Sequence, residues 1–245
     1  MRRKLVAANW KMHGSRDANR ALLAAVAASL PGSCDVVVFP PFPYLAELIA
    51  AHAGIGFGGQ DVSAHAAGAY SGEVAASMLR DIGCGYVLVG HSERRQYHHE
   101  DDALICAKLE RALEQGITPI LCVGETLDQR RQGVTEAIIT AQLHAPLQAL
   151  GERIARIAIA YEPVWAIGTG HTASAAQAQA AHAFIRSQLA ARDAKLSRMI
   201  RVLYGGSVKA ANASDLFAQP DIDGGLVGGA SLVAEEFLAI CAAAR

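Results

Sequence analysis

One glutamate stands where a buried strand is expected to end and a glycine-containing loop to begin. The apolar run from Ile157 to Ala160 predicts a buried β-strand, and Glu162 follows it after a single tyrosine. A carboxylate at that point faces surroundings of low dielectric constant, where it is suited to act as a base. An ordinary strand-to-helix turn explains the same pattern, so the segment alone leaves both interpretations open.

The residues after Glu162 have the composition of a loop that closes over something. Pro163 stiffens the exit from the strand, and Gly168 and Gly170 permit backbone conformations that other residues resist. Large apolar side chains on an exposed loop make sense if the loop covers a ligand. We therefore predict a lid consisting of Pro163, Val164, Trp165, Ala166, Ile167, Gly168, Thr169 and Gly170.

A histidine and a lysine follow two other apolar runs. His91 precedes Ser92, a predicted helix N-cap, and the positive end of that helix dipole favours a neutral imidazole that donates a hydrogen bond to a carbonyl oxygen. Lys11 lies two residues beyond another run, with Asn9 at its tip. A structural histidine and a surface lysine remain the alternative explanations.

Two glycine-rich turns indicate a phosphate site. Gly205-Gly206-Ser207 and Gly228-Gly229-Ala230-Ser231 follow the last two apolar runs, where barrels bind phosphate through backbone N–H groups. Either turn alone is explained by tight-turn geometry, but their joint occurrence favours an anion site.

Other sequence motifs are rejected or missing. The glycines Gly54, Gly56 and Gly59 match the dinucleotide-binding fingerprint, but they overlap a predicted strand instead of opening a helix. The sequence contains no Walker A, H-E-x-x-H or G-x-S-x-G motif, so nucleotide hydrolysis, zinc proteolysis and serine-hydrolase chemistry lack their usual marks.

About eight short apolar runs alternate with longer amphipathic stretches, which predicts an α/β fold. The runs are 5–8, 36–39, 55–59, 86–89, 119–123, 157–161, 202–204 and 225–227, and predicted helices cover 19–30, 100–115, 136–150, 174–191 and 233–244. The number of repeats favours a (β/α)₈ barrel over a doubly wound open sheet. In a barrel, functional residues lie at the carboxyl ends of the strands, and the polar residues named above do so.

Composition narrows the classes of function. The chain has 245 residues and is 52% hydrophobic, and from this we expect one domain over 1–245. Because its net charge is only −1, we expect no nucleic-acid or membrane partner. Its five cysteines form no C-x-x-C pair and mostly adjoin apolar residues, which indicates reduced thiols and a cytoplasmic location.

Five segments together resemble the triosephosphate isomerase family, in the family's order and over essentially the whole chain. They are Asn9 to Met12, Gly90 to Arg95, Ala160 to Gly170, Tyr204 to Val208 and Gly224 to Leu232. The resemblance implies interconversion of dihydroxyacetone phosphate and D-glyceraldehyde 3-phosphate through an enediol, in glycolysis and gluconeogenesis, without cofactor or metal. This family is the standard example of a glutamate base paired with a neutral histidine.

The resemblance also implies residue roles. Glu162 is the base, His91 polarises the substrate oxygens, Lys11 stabilises negative charge, Asn9 supports that arrangement, and Glu93 helps move protons or orients Lys11. Backbone N–H groups of four residues hold the phosphate: Gly168, Ser207, Gly228 and Gly229. Three further roles concern the lid: Ile167 and Leu226 clamp the carboxylate, Tyr204 and Ser207 latch the closed lid, and Glu125 holds Trp165 in the open one.

Family members are typically homodimers in which the loop after the third strand enters the partner. Residues Gln60 to Val74 match this loop, and Ser71 is then expected to approach Asn9 and Lys11 of the other subunit. Ser71, His171 and His13 depart from residues common in the family, and His171 is expected to make lid motion depend on pH.

Two other functions are compatible with a phosphate-binding barrel. A noncatalytic phosphate-sugar binding protein does not need Glu162, His91 and Lys11 together. A different barrel isomerase usually lacks the Trp165 lid and places its acid–base residues on other strands.

Overall fold

The chain folds into a closed barrel of eight parallel strands, as a computed structural model of residues 2–52, 54–168 and 172–245 describes it. Each strand pairs with its neighbours in sequence, and β1 pairs with β8 to close the sheet. The strands are β1 Leu5–Asn9, β2 Asp35–Phe39, β3 Gly56–Gly59, β4 Tyr86–Val89, β5 Thr118–Val123, β6 Ala158–Tyr161, β7 Val202–Tyr204 and β8 Gly224–Val227. This topology confirms the predicted (β/α)₈ barrel.

The strands agree with the predicted apolar runs to within one residue at either end. Gly56 and Gly59 lie within β3, so the glycine pattern there is a strand and not a dinucleotide-binding turn. Three predicted residues, Thr169, Gly170 and His171, lie outside the described residues.

Helices cover the outside of the barrel. They are α1 Arg16–Ala27, α2 Phe42–Ala51, α3 Ala76–Asp81, α4 Ser92–Tyr97, α5 Asp102–Glu114, α6 Leu127–Arg131, α7 Thr135–Ala149, α8 Ala175–Arg192, α9 Ala194–Met199, α10 Ala210–Phe217 and α11 Ala234–Ala243. The predicted start of α1 at Asn19 is three residues late, because the Ser15 hydroxyl caps the helix by accepting the Ala18 N–H at 3.3 Å.

Two apolar layers hold the barrel together. Inside the barrel, side chains such as Phe39, Leu88 and Ile120 fill the axis, and a larger layer packs between the outer face of the sheet and the helices. Because the strands are buried on both faces, they read as continuous apolar runs, and polar side chains appear where the strands end.

Among the described residues, no helix combines the length and apolar character that crossing a bilayer requires. The same residues contain no group of three or more histidine, cysteine, aspartate or glutamate side chains arranged to hold a metal ion.

Candidate active site

The carboxyl ends of the strands surround a cavity of about 280 Å³, and most of the predicted site residues line it. They are Asn9, Lys11, His91, Glu162, Gly168, Ser207, Gly228 and Gly229. Glu93 lines an adjoining cavity of about 290 Å³, together with Asn9, Lys11 and His91. Residues separated by more than 200 positions in the sequence therefore meet at one end of the barrel.

Glu162 lies at the floor of the cavity with 2% of its surface exposed. Its Oε2 accepts the Ser92 backbone N–H at 2.8 Å, and its Oε1 lies 3.0 Å from Nε2 of His91. Strand β5 approaches its backbone closely, since a Cβ at Gly124 would lie 1.8 Å from the Glu162 carbonyl oxygen. This position has room only for glycine, and Gly124 was not among the predicted site residues.

The contacts of Glu162 keep its carboxylate ionised. Burial favours the neutral acid, but the contacts with His91, the Ser92 N–H and the Lys11 charge outweigh burial and lower the pKa of Glu162. A base must carry its negative charge before the substrate arrives, and this environment provides it.

His91 itself caps helix α4, whereas the sequence predicted Ser92 as the N-cap. The ring Nδ1 accepts the Glu93 backbone N–H at 3.3 Å, so Ser92 is the first residue of the helix. An Nδ1 that accepts a hydrogen bond carries no proton, which leaves Nε2 as the N–H donor of a neutral ring. The sequence signal favoured Ser92 because histidine is an uncommon cap.

Two opposing effects set the charge of His91. Burial disfavours the imidazolium ion, but the Glu162 and Glu93 carboxylates favour it and raise the pKa of His91 in this conformation. Glu162 is the largest of the raising influences. Movement of Glu162 away from the ring would therefore return His91 towards the neutral state.

Lys11 is held in an unusual conformation beside the cavity. Its φ of 52° lies in the left-handed region, and Asn9 supports it because Asn9 Oδ1 accepts the Lys11 backbone N–H at 3.0 Å. The Gln60 side chain adds a hydrogen bond to the Lys11 carbonyl oxygen at 2.8 Å. The Lys11 ammonium group is 2.5 Å from Glu93 Oε1, and both residues line the adjoining cavity.

The two glycine turns line the same cavity, and the first lies beside Glu162, since a Cβ at Gly205 would lie 2.9 Å from the Glu162 Cγ. Gly205, Gly206 and Ser207 follow β7, and Gly228 precedes a short 3₁₀ helix over Gly229–Leu232. Backbone N–H groups at the start of a helical turn carry partial positive charge and suit an anion. The cavity thus brings together a carboxylate, an imidazole and the two glycine turns that were predicted to bind an anion.

The lid segment begins with a 3₁₀ helix over Val164–Ala166 and is anchored by Trp165. The indole Nε1–H donates to Glu125 Oε1 at 3.0 Å, and the Arg130 guanidinium carbon lies 4.5 Å from the indole ring centroid. Glu125 is fully buried and also accepts the Tyr161 hydroxyl at 3.0 Å. The structure therefore has the predicted Glu125–Trp165 contact, and it adds contacts of Arg130 and Tyr161 that were not predicted.

Two further lid predictions concern residues on the cavity side. Ile167 and Leu226 both line the cavity with Glu162, as the predicted apolar clamp requires. The Tyr204 hydroxyl is buried and makes no hydrogen bond of ordinary length with any described residue, although the Ala173 backbone approaches it. A buried hydroxyl with that capacity left over is suited to latch a closed lid.

A buried group of charges supports α4 and was not predicted. The Lys108 ammonium contacts Asp61 at 2.8 Å and Glu100 at 2.6 Å, and Arg94 contacts both carboxylates. Burial raises the pKa of Asp61, whereas in Glu100 the Lys108 and Arg94 contacts outweigh burial and lower the pKa. Because Arg94 is two residues from the His91-capped start of α4, this network fixes the helix that presents the imidazole.

Comparison with known proteins agrees with this geometry. Residues 4–244 match the family model described as Triosephosphate isomerase. The chain is 58% identical over 249 residues to the Triosephosphate isomerase of Xanthomonas euvesicatoria pv. vesicatoria, covering 100% of this chain and 99% of the relative. It is 59% identical over 247 residues to the Triosephosphate isomerase of Thiobacillus denitrificans, with the same coverage. The Triosephosphate isomerase of Stenotrophomonas maltophilia is 57% identical over 248 residues, again with that coverage.

Proposed function

The chain belongs to the triosephosphate isomerase family and is an isomerase that interconverts dihydroxyacetone phosphate and D-glyceraldehyde 3-phosphate, and we propose that Glu162 is its catalytic base. This reaction serves glycolysis and, in reverse, gluconeogenesis. The observation that carries the assignment is the buried pair of Glu162 Oε1 and His91 Nε2, 3.0 Å apart, in the cavity that the glycine turns also line.

Glu162 removes a proton from the carbon next to the substrate carbonyl and returns it to the neighbouring carbon. His91 donates its Nε2 hydrogen to the substrate oxygens and helps to move protons between them, while Lys11 stabilises the negative charge of the enediolate. Asn9 holds the Lys11 backbone, and Glu93 orients the Lys11 ammonium group, as their hydrogen bonds support.

Substrate binding changes the charge state of His91 by moving Glu162. Both Glu162 oxygens have partners, Ser92 N–H and His91, so the carboxylate must leave them to reach a carbon-bound proton. The departure removes the main effect that raises the His91 pKa, so that only Glu93 still opposes burial and the helix N–H, which both favour neutral imidazole. A neutral ring is the donor that the reaction needs.

The phosphate binds to the backbone N–H groups of Gly168, Ser207, Gly228 and Gly229, all of which line the cavity. Because the phosphate takes no part in bond changes, its binding energy is available to favour the closed lid. Closure of residues 163–170 excludes water, which strengthens Glu162 as a base and prevents loss of phosphate from the enediol. Ile167 and Leu226 then clamp the carboxylate, and Tyr204 and Ser207 latch the lid.

A noncatalytic phosphate-sugar binding protein is not favoured. Such a protein gains nothing from an ionised carboxylate buried against a histidine, since burying that charge costs free energy. The family membership points to the isomerase instead.

The experiment is a coupled isomerase assay in the presence of EDTA. We expect the wild-type protein to interconvert the two triose phosphates without added metal or cofactor. Glu162→Gln keeps the shape of the side chain but removes the base, and turnover should fall by about two or more orders of magnitude. Glu152→Gln, at an exposed glutamate away from the cavity, is the matched control and should retain wild-type turnover. Unchanged turnover in Glu162→Gln would remove this residue from its role.

The chain acts as a homodimer through the loop Gln60 to Val74. His65 and Tyr70 stack with ring centroids 3.6 Å apart, which preorganises the loop, and Ser71 at its tip is exposed. Met12 is 94% exposed and Tyr97 67% exposed, and both line the cavity beside Lys11. Burying these apolar side chains against a loop of the partner is more favourable than leaving them exposed to water. Light scattering at assay concentration tests the dimer.

Two further expectations concern the domain organisation and the cellular location. The chain 1–245 forms one catalytic domain, and it works in the cytoplasm on small-molecule triose phosphates. Fractionation of the source cells tests the location.

A further inference from the structure

Two cysteines meet at the end of the barrel opposite the active site. Cys34 immediately precedes β2, and Cys241 lies in the last turn of α11, 207 positions later in the sequence. Cys34 Sγ is 3.6 Å from the Cys241 carbonyl oxygen, and both side chains are buried. The contact joins the second strand to the final helix.

Only Cys34 of the pair has access to solvent. Cys34 is 5% exposed and lines a cavity of about 420 Å³ with Arg3 and Asp35, whereas Cys241 is 0% exposed and does not line that cavity. A small reagent that enters the cavity therefore reaches Cys34 first.

The two thiols also differ in acidity. A hydrogen bond between the two thiol side chains lowers the pKa of Cys34 against the effect of burial, and the Arg3 charge lowers it further, although Asp35 opposes this. The same contact and burial raise the pKa of Cys241 strongly. The thiolate accordingly forms at Cys34, and the proton stays on Cys241.

We propose that Cys34 and Cys241 form a peroxide-sensitive thiol pair, which an alkyl or hydrogen peroxide converts to an intramolecular disulfide. The Cys34 thiolate attacks the peroxide, the O–O bond breaks, and Cys34 becomes a sulfenic acid as hydroxide or alkoxide leaves. The Cys241 sulfur then attacks the Cys34 sulfur, the S–O bond breaks, and the Cys241 proton leaves with hydroxide as water. Both cysteines are oxidised by one electron each, and the peroxide is reduced by two.

The other cysteines lack this arrangement. Cys106 on α5 is half-buried, and burial raises its pKa to about 11, with nearby carboxylates adding to the effect. Burial raises the pKa of Cys84 to about 12 and also raises the pKa of Cys122. Cys106 is therefore the matched control, since it is more exposed than Cys34 but less acidic.

The disulfide stabilises the fold and leaves catalysis unchanged. It closes a loop through most of the chain, so it restricts the unfolded state more than the folded one. The active-site residues lie at the other end of the strands and keep their contacts. Oxidation is expected to raise the unfolding temperature by several degrees, with turnover within about twofold of the reduced protein.

The test is treatment of the whole protein with hydrogen peroxide, followed by alkylation under denaturing conditions and peptide mass mapping. We expect loss of two of the five thiols, a linked peptide pair containing Cys34 and Cys241, and a raised unfolding temperature that dithiothreitol reverses. Cys106→Ser should behave as wild type, whereas Cys34→Ser and Cys241→Ser should lose both the link and the temperature shift.

Three results overturn the proposal: Cys34 oxidised to sulfinic acid while Cys241 stays a thiol, a link between subunits in place of one within the chain, or no loss of thiols. Peptide mass mapping of the oxidised wild-type protein distinguishes these results from the expected link even if a serine variant fails to fold.

Discussion

The resting contacts of Glu162 show how a single side chain is made ready before it reacts. Ser92 N–H and His91 Nε2 each engage one carboxylate oxygen, which stabilises the ionised form at a position with almost no solvent. The same contacts restrain the carboxylate from reaching a substrate carbon. In the proposed mechanism, catalysis therefore requires an exchange of partners, and the energy for it comes from binding the substrate and closing the lid.

The proposed role of Lys11 can be tested with a single substitution. Lys11→Met keeps most of the side-chain volume but removes the positive charge proposed to stabilise the enediolate, so kcat/KM should fall by about 10²- to 10³-fold. Steady-state kinetics measures this fall. Lys195→Met on the exposed surface of α9 is the control and should leave kcat/KM unchanged. A loss smaller than about tenfold in Lys11→Met would contradict the assigned role.

The start of α4 shows why a cap can be mispredicted at this scale. Sequence statistics favour serine, and Ser92 is adjacent, but the His91 ring nitrogen takes the cap position because its Nδ1 accepts the Glu93 N–H. The displacement by one residue matters chemically, since it decides which histidine nitrogen carries the proton.

At the scale of elements, the lid is held by a small set of contacts outside the cavity. Trp165 donates to the buried Glu125 and lies against Arg130, so these contacts stabilise the observed lid position. In the proposed mechanism, closing the lid breaks or replaces these contacts. The affinity for a phosphate ligand thus includes the free energy needed to release Trp165.

Trp165→Phe removes the indole N–H and tests this element directly. Loss of one hydrogen bond worth about 1 kcal/mol should shift the lid towards closure and tighten binding of a phosphate ester about fivefold. The probe is glycerol 3-phosphate, which has the phosphate but no carbonyl group, measured as a competitive inhibitor. Tyr161→Phe removes another Glu125 contact from strand β6 and should change the inhibition constant little. Weaker binding in Trp165→Phe would show that the indole favours the closed lid.

The strands and the polar residues at their ends could be predicted from the sequence, because burial on both faces leaves a simple apolar pattern. The Lys108 network could not be predicted. Lys108 falls within the amphipathic pattern of α5, and its charge suggests an exposed position, whereas Asp61 and Glu100 make a buried one possible. These partners come from different segments, so only the folded chain brings them together.

At the scale of the whole molecule, the two ends of the barrel have different roles. The carboxyl ends of the strands hold the charges and glycine turns of the candidate site, while the opposite end holds contacts that join distant parts of the chain. Arg186 and Asp223 form a buried ion pair there, and Arg2 donates to the same aspartate at 2.8 Å. Stability and catalysis therefore depend on different ends of the barrel. The proposed Cys34–Cys241 disulfide relies on this separation, because it is expected to change stability and leave turnover unchanged.

Behind the barrel wall, His182 makes global stability depend on pH. It is fully buried on α8, packs edge-on against Tyr161 with ring centroids 5.9 Å apart, and its Nδ1 lies 3.3 Å from the Asp221 carbonyl oxygen. Burial is the main cause that lowers the pKa of His182 to about 3. In the unfolded chain this histidine has an ordinary pKa near 6.5. Between pH 6.5 and 3 it therefore binds a proton in the unfolded chain but not in the folded one.

This depressed pKa gives stability that is present above about pH 6.5 and is lost as the pH falls towards 3. Between pH 7 and pH 5 the histidine should therefore account for a loss of about 2 kcal/mol in the free energy of unfolding. His182→Gln cannot take up this proton, so its free energy of unfolding should fall by about 2 kcal/mol less than that of wild type over the same interval. Urea unfolding at both pH values and one protein concentration measures the difference. Equal losses in the two proteins would show that a different group governs acid stability.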